Sequence, residues 1–226
     1  MQYYDFHTHQ PKRHPEDVAV LSVDIRETGD LFRHPATDCT QKNELYAVGV
    51  HPWYIDANDR TITNLLFAKV RQSASRKEVV AIGETGLDKK FAKSAGDYVY
   101  QQEIFISHIR LAEEVKKPVI IHCVKAWDDV LQIRRSIQPS MPWIIHGFRG
   151  KESLARQLIG AGFYLSFGPR YNREALQASW AQRRLFLETD DQDTDIRDVY
   201  QQVANDLNIT EQVLSEAIEN RISLFF

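Results

Sequence analysis

The chain has 226 residues, of which 43% are hydrophobic and 26% are charged, and this composition is sufficient for one hydrophobic core. We therefore expect a single domain that covers residues 1–226. A net charge of -3 and a pI of about 6.2 exclude a generally cationic surface of the kind that attracts nucleic acid or anionic lipid, so any affinity for phosphate must be local.

Eight short strands are predicted along the chain, each apolar or β-branched and bounded by polar or turn residues. They cover residues 2–7, 18–25, 45–51, 79–84, 118–123, 142–147, 162–168 and 184–190. Helical patterns follow the later strands at 60–73, 98–115, 127–136, 151–161 and 172–178, and two further helices at 195–206 and 210–224 close the fold. Strands that alternate with helices in this way predict an α/β fold with a parallel (β/α)8 barrel.

The first quarter of the chain fits this rhythm less well. The connection between the first two strands is short, and residues 26–44 contain Gly29, Pro35 and many polar residues without an apolar stripe. We therefore expect the first two helices of the barrel to be reduced or missing.

Six potential metal ligands lie at the predicted carboxyl ends of strands, which meet at one mouth in a barrel. They are His7, His9, Glu84, His122, His146 and Asp190. Each histidine alone could equally be a hydrogen-bonded core or surface residue. The metal site is therefore indicated by the occurrence of all six residues at strand ends. Nitrogen and oxygen donors without thiolate suit Zn, Mn or Mg. Six donors exceed what one tetrahedral ion needs, which indicates two divalent ions that share a carboxylate.

The motifs around these residues resemble the TatD-type metal-dependent deoxyribonucleases of the amidohydrolase superfamily. The resemblance is carried by DFHTH at 5–9, GVHP at 49–52, IGETGLD at 82–88, PVIIH at 118–122, IHGFRG at 145–150, LETD at 187–190 and residues 220–225. It implies a distorted TIM barrel that hydrolyses phosphodiesters with a metal-activated water.

By position, the resemblance implies that His7, His9 and Asp190 hold one ion, that His122 and His146 hold the second, and that Glu84 bridges them. Asp190 and Glu84 are then the catalytic residues, with Asp190 accepting a proton from the attacking water. The chain departs from the family at Val124, where an arginine is usual, and at Asp191 and Gln192 after the last ligand. These departures concern substrate preference more than metal chemistry.

Substrate contacts are predicted from the loops that follow the strands. His51 should contact the substrate, although a hydrogen-bonded wall residue would look the same. Lys125, Arg149 and Arg170 are basic residues in these loops, and Lys125 or Arg149 replaces the missing arginine in this hypothesis. The alternative is that they are ordinary solvated charges. Aromatic side chains such as Trp53 either stack on bases or pack the rim.

Two classes of function stay open. The first is a metal-dependent hydrolase, for which we expect a nuclease acting on single-stranded DNA ends, with a hydrolase of a small phosphoester or C–N bond as the alternative. The second is a non-enzymatic metal-binding protein. The two cysteines, Cys39 and Cys123, the polar residues 1–6 and the lack of a long apolar run lead us to expect a cytoplasmic protein without membrane association or an evident protein partner.

Overall fold

Eight strands follow one another in a single sheet, in the order of the chain. In this computed structural model, which describes residues 1–27 and 44–225, they are β1 (Tyr4–Thr8), β2 (Val18–Val23), β3 (Glu44–Val48), β4 (Val79–Asp88), β5 (Val119–Val124), β6 (Trp143–Ile145), β7 (Tyr164–Phe167) and β8 (Leu185–Leu187). Neighbouring strands pair in parallel, and a bridge joins Thr8 to Asp190 just after β8. This is the (β/α)8 barrel order that the sequence predicts.

The helices of the described residues also follow the predicted pattern. They are α1 (Arg60–Ser73), α2 (Ala95–Val115), α3 (Trp127–Ile137), α4 (Glu152–Gly160), α5 (Arg173–Ala181), α6 (Ile196–Leu207) and α7 (Glu211–Ile222). Several begin at a side chain that accepts a backbone N–H of the first turn, as Asp59, Ser94 and Thr210 do. Such caps fix where a helix starts, which explains why the predicted starts lie within a few residues of the observed ones.

The first crossover is reduced, as expected. Residues 9–17, between β1 and β2, contain no helix. The second predicted reduction falls mainly on residues 28–43, which lie outside the described residues. Among the described helices, none combines the length and the apolar composition that crossing a bilayer requires.

Close contacts group the described residues into two units, which we call unit one (1–21, 44–45 and 144–225) and unit two (22–27 and 46–143). In unit one, the ring of Phe6 stacks on that of Phe186 with 4.3 Å between centroids. In unit two, Phe105 packs against Trp143 at 5.6 Å. Each unit therefore has its own buried aromatic contacts, and each carries one group of the predicted metal ligands.

Candidate metal centre

The first group of donors, the unit-one cluster, consists of His7, His9, His146, Glu188 and Asp190. Asp190 Oδ1 lies 3.6 Å from His7 Nε2 and 3.7 Å from His9 Nε2. His7 is fully buried, whereas the side chain of His9 is 44% exposed. The three donor atoms lie within 4.8 Å of one another, so they can face one ion.

Backbone hydrogen bonds hold Asp190 against β1. Its N–H donates to the carbonyl of His7 at 2.9 Å, and its own carbonyl accepts the N–H of His9 at 3.0 Å. The buried carboxylate of Asp5 accepts the N–H and the hydroxyl of Thr189, at 3.0 and 2.5 Å. Burial raises the pKa of Asp5 to about 7, although the bonds from Thr189 oppose this. Asp190, the last of the predicted ligands, is thus held against the end of β1, where His7 and His9 lie.

His146 and Glu188 complete the unit-one cluster. His146 Nδ1 lies 3.6 Å from Glu188 Oε1, which also accepts the N–H of Gly147 at 2.5 Å. Burial alone would raise the pKa of Glu188, but the close imidazoles of His146 and His7 lower it below its ordinary value. Glu188 lies in the LETD motif at 187–190, but the sequence alone assigns it no role. Its position two residues before Asp190 was the available signal, because alternate residues of a strand face the same side.

The second group, the unit-two cluster, consists of His51, Glu84, Asp88 and His122. Glu84 Oε1 lies 2.9 Å from His122 Nδ1 and 3.0 Å from His51 Nε2. The two imidazole nitrogens are 3.4 Å apart. The sequence predicts His51 to be a substrate contact, and the structure brings it among the potential ligands. Glu84 and His122 lie within β4 and β5, and β4 continues past its predicted end to Asp88.

Asp88 is the residue of this cluster that sequence analysis did not single out. Its Oδ2 accepts the indole N–H of Trp53 at 2.8 Å and lies 3.2 Å from His122 Nε2. Although burial opposes ionisation, the contacts with His122 and Trp53 lower the pKa of Asp88 to about 2. A carboxylate behind a histidine fixes the ring and its tautomer, a common arrangement for metal-binding histidines. The alternation of Glu84, Gly86 and Asp88 along β4 could have indicated it.

A glycine allows β4 to approach β5 at the unit-two cluster. Gly83 has φ +151°, and a Cβ atom there would lie 2.5 Å from the carbonyl oxygen of Ile120. Any larger residue would push Glu84 away from His122. The close approach that the cluster needs therefore depends on the missing side chain.

The spacing of the donors fits metal ions. Two atoms that each lie about 2.1 Å from one ion at a tetrahedral angle are about 3.4 Å apart. The separations of Asp190 Oδ1 from His7 and His9, 3.6 and 3.7 Å, exceed an ordinary hydrogen bond but match this value. The donor set is imidazole and carboxylate without thiolate, which suits a catalytic divalent ion.

Comparisons with known proteins agree with this chemistry. A family model described as TatD related DNase matches residues 17–226. The chain belongs to the TatD family. It is 41% identical over 123 residues to the uncharacterized metal-dependent hydrolase YabD of Bacillus subtilis, covering 54% of this chain and 46% of that protein. It is 36% identical over 118 residues to the 3'-5' ssDNA/RNA exonuclease TatD of Cronobacter turicensis, covering 52% and 43%.

The fold is also that of the TatD family. The crystal structure of a hydrolase TatD family protein from Entamoeba histolytica matches with a TM-score of 0.77 and 17% identity, covering 100% of this chain and 98% of that one. The chain spans about half the length of the curated relatives it matches. The Bacillus subtilis relative is named as a metal-dependent hydrolase, and this chain has groups of residues that could hold metal ions.

The basic residues in the loops of this TatD family member fall into two sets. Arg13, Lys89 and Arg173 pair with Asp193, Asp129 and Asp206. Lys125, Arg149 and Arg170 are exposed, and none of these three has a carboxylate within 4.0 Å in the described part of the chain. Acidic neighbours therefore neutralise part of the positive charge of these loops, and the three basic residues predicted as substrate contacts are among those without such a neighbour in the described residues.

Proposed function

We propose that this protein is a divalent-metal-dependent hydrolase that cleaves phosphodiesters at the ends of single-stranded DNA. The observation that carries this proposal is the presence of two clusters of imidazole and carboxylate donors, each containing three ligand atoms within 4.8 Å of one another. In the proposal, units one and two act together as one hydrolase domain, residues 1–226. The name of the exonuclease relative supports nucleic acid as the substrate class.

The proposed ligand sets take donors from both clusters and follow the assignment that the family resemblance implies. His7, His9 and Asp190 hold one ion, His122 and His146 hold the second, and Glu84 bridges them. Zn, Mn or Mg suit these donors. When bound, such ions neutralise charge on phosphoryl oxygens and make water ionise near neutral pH. His51 faces Glu84 at 3.0 Å, so it either binds the second ion or contacts the substrate beside it.

In this proposal Asp190 accepts the proton of the attacking water. Its side chain is 23% exposed, so solvent reaches it, while its main chain is held by His7 and His9. A carboxylate that is fixed in this way can take a proton without first reorienting. Asp88 and Glu188 orient His122 and His146 from behind and do not contact the substrate.

A single-stranded substrate is favoured by exposed aromatic rings beside the unit-two cluster. Trp53 and Phe91 are 48% and 42% exposed, and their rings stack with 5.2 Å between centroids. The indole N–H of Trp53 is anchored on Asp88, next to His122. Only an unpaired base offers its face to such a pair. Lys125, Arg149 and Arg170 supply the positive charge that a phosphate backbone requires.

The proposal is tested by hydrolysis assays on protein reconstituted with Zn, Mn or Mg. Single-stranded DNA, duplex DNA, RNA, a small phosphodiester and a C–N bond substrate are compared. We expect single-stranded DNA to be cleaved fastest, chelation to abolish cleavage, and Asp190→Asn to lower turnover by roughly 10²- to 10⁴-fold. Asp191→Asn, which removes the neighbouring carboxylate, is the matched control and should retain activity. Failure of every reconstituted form to cleave any phosphodiester would reject the proposal.

We further propose that the protein works in the cytoplasm. Cys123 is buried, and burial raises the pKa of its thiol to about 12, which keeps it unreactive. A free, unreactive thiol is compatible with the reducing conditions of the cytoplasm.

A further inference from the structure

A cavity of about 680 Å³ opens in unit one at the amino ends of β7 and β8. It lies between α5, α7 and the connection at residues 182–184, and Tyr164 and Arg184 mark the starts of the two strands. Asp190 follows the other, carboxyl end of β8. The cavity is therefore separate from the unit-one cluster. Its volume is in the range of pockets that bind small molecules, about 300–1,000 Å³.

Three arginines give this cavity a positive charge. Arg183, Arg184 and Arg221 line it, and in the described residues no carboxylate lies within 4.0 Å of any of their guanidinium groups. No acidic residue appears among the described residues that line the cavity. Among the described residues, therefore, no carboxylate within 4.0 Å opposes these three charges.

Arg221 is the most buried of the three arginines. Its residue is only 8% exposed, and the one hydrogen bond that its side chain makes among the described residues is from Nη1 to the carbonyl of Leu185 at 3.0 Å. Burial and the neighbouring Arg183 lower its pKa to about 10. Burying a guanidinium without a carboxylate is unfavourable, and a bound anion would compensate for it.

Aromatic rings hold two of these guanidiniums in place. Arg184 Cζ lies 4.3 Å from the centre of the Tyr164 ring, and Arg221 Cζ lies 5.5 Å from that of Trp180. Both rings line the cavity, and Val213 and Leu224 add exposed apolar surface at its edge. Guanidiniums fixed on rings present their planar N–H groups for bidentate binding of phosphate.

We propose that this cavity binds a nucleotide, with its phosphate on Arg183, Arg184 and Arg221 and its base against the aromatic and apolar side chains. A simple inorganic anion would leave most of the 680 Å³ unfilled, whereas a nucleotide uses both the charge and the rings. The site does not depend on the proposed hydrolysis, because it shares no residue with either metal cluster. It gives the protein a second nucleotide-binding surface, at the other end of the strands.

The test is a titration of the full-length, metal-loaded protein with dAMP, followed by tryptophan fluorescence. Trp180→Phe assigns the signal, because the quenching that it removes comes from the cavity. Arg183→Gln combined with Arg184→Gln should weaken this binding at least about tenfold, since two charge-assisted contacts are lost. Lys125→Gln combined with Arg149→Gln is the control. It should leave the Trp180-dependent signal, and the dAMP affinity measured from that signal, unchanged.

Further titrations identify the source of the ligand. Inorganic phosphate should bind at least about tenfold more weakly than dAMP, because it makes no contact with the rings. Tighter binding of a short oligodeoxynucleotide than of dAMP would identify a strand end, and weaker binding would identify a free nucleotide; both support the site. Absence of a Trp180-dependent signal, or equal loss in the two double variants, would overturn the inference.

Discussion

Replacing His108 by glutamine should make the stability of the protein less sensitive to acid. His108 lies on α2 and is fully buried. Its Nε2 accepts the N–H of Val50 at 3.0 Å, and its Nδ1 donates to the carbonyl of Ile104 at 2.8 Å. In this arrangement the ring is neutral and supports the chain just before His51. A proton on Nε2 would remove the bond to Val50 and leave a buried charge.

The size of the effect follows from the pKa. Burial lowers the pKa of His108 from 6.5 to about 4, so the unfolded chain binds this proton more readily than the folded protein. Stability is therefore complete above pH 6.5 and falls as the pH drops towards 4. Each pKa unit corresponds to about 1.4 kcal/mol. Between about pH 7.5 and pH 4.5, the folded protein should lose about 2.5 kcal/mol through this histidine.

The variant isolates this contribution. Asp5 acts in the opposite direction, because its pKa is raised to about 7 and its protonation on acidification favours the folded state. His108→Gln keeps an acceptor for Val50 but cannot be protonated. Urea unfolding, measured without metal at about pH 7.5 and 4.5, should show that the wild type loses about 2.5 kcal/mol more than the variant. Equal losses in the two proteins would refute the reasoning.

Three further predictions concern the clusters. Glu188→Gln should weaken metal binding by about 10- to 100-fold, because the carboxylate behind His146 is lost, and unchanged affinity in a chelator competition would contradict this. Gly83→Ala should lower the free energy of unfolding by about 2 to 4 kcal/mol, because the new Cβ atom would clash with the backbone of Ile120. The control is Gly160→Ala, which should not lower it, because nothing lies within 4 Å of a Cβ atom there. Equal stabilities of the two variants would be inconsistent with the close approach of β4 and β5. Trp53→Ala should raise KM for single-stranded DNA by roughly 5- to 100-fold while leaving KM for a small phosphodiester unchanged, and a parallel rise for both substrates would exclude base stacking.

The fold could be predicted from the sequence because the residue patterns of single helices and strands agree with the alternation of strands and helices along the chain. Residues 60–73 were predicted as a helix and form α1 without a change in either boundary. Strand ends were less accurate. β6 and β8 stop at Ile145 and Leu187, before the predicted ends, and His146 and Asp190 follow them outside the regular strands. Asp190, for example, has φ +57°, a left-handed conformation that a residue pattern does not reveal.

The histidines of the candidate site could be predicted from the sequence. The carboxylates that contact them, Asp88 and Glu188, were harder to predict. Histidines at strand ends stand out because imidazole is otherwise uncommon after an apolar run. Asp88 and Glu188 do not stand out, since carboxylates are frequent and their importance comes from contacts with His122 and His146. The cavity of Arg183, Arg184 and Arg221 was also missed, because it depends on how α5 and α7 pack and not on a motif.

The hydrogen bonds between Asp190 and β1 have a consequence for synthesis of the protein. The residues of the bridge, Thr8 and Asp190, are 182 positions apart, whereas Glu84 and His122 are 38 apart. On the ribosome, the donors of unit two are synthesised close together in time, whereas His7 and His9 are synthesised long before Asp190. A nascent chain can therefore bring the unit-two cluster together first. His7 and His9 can meet Asp190 only after β8 has left the exit tunnel.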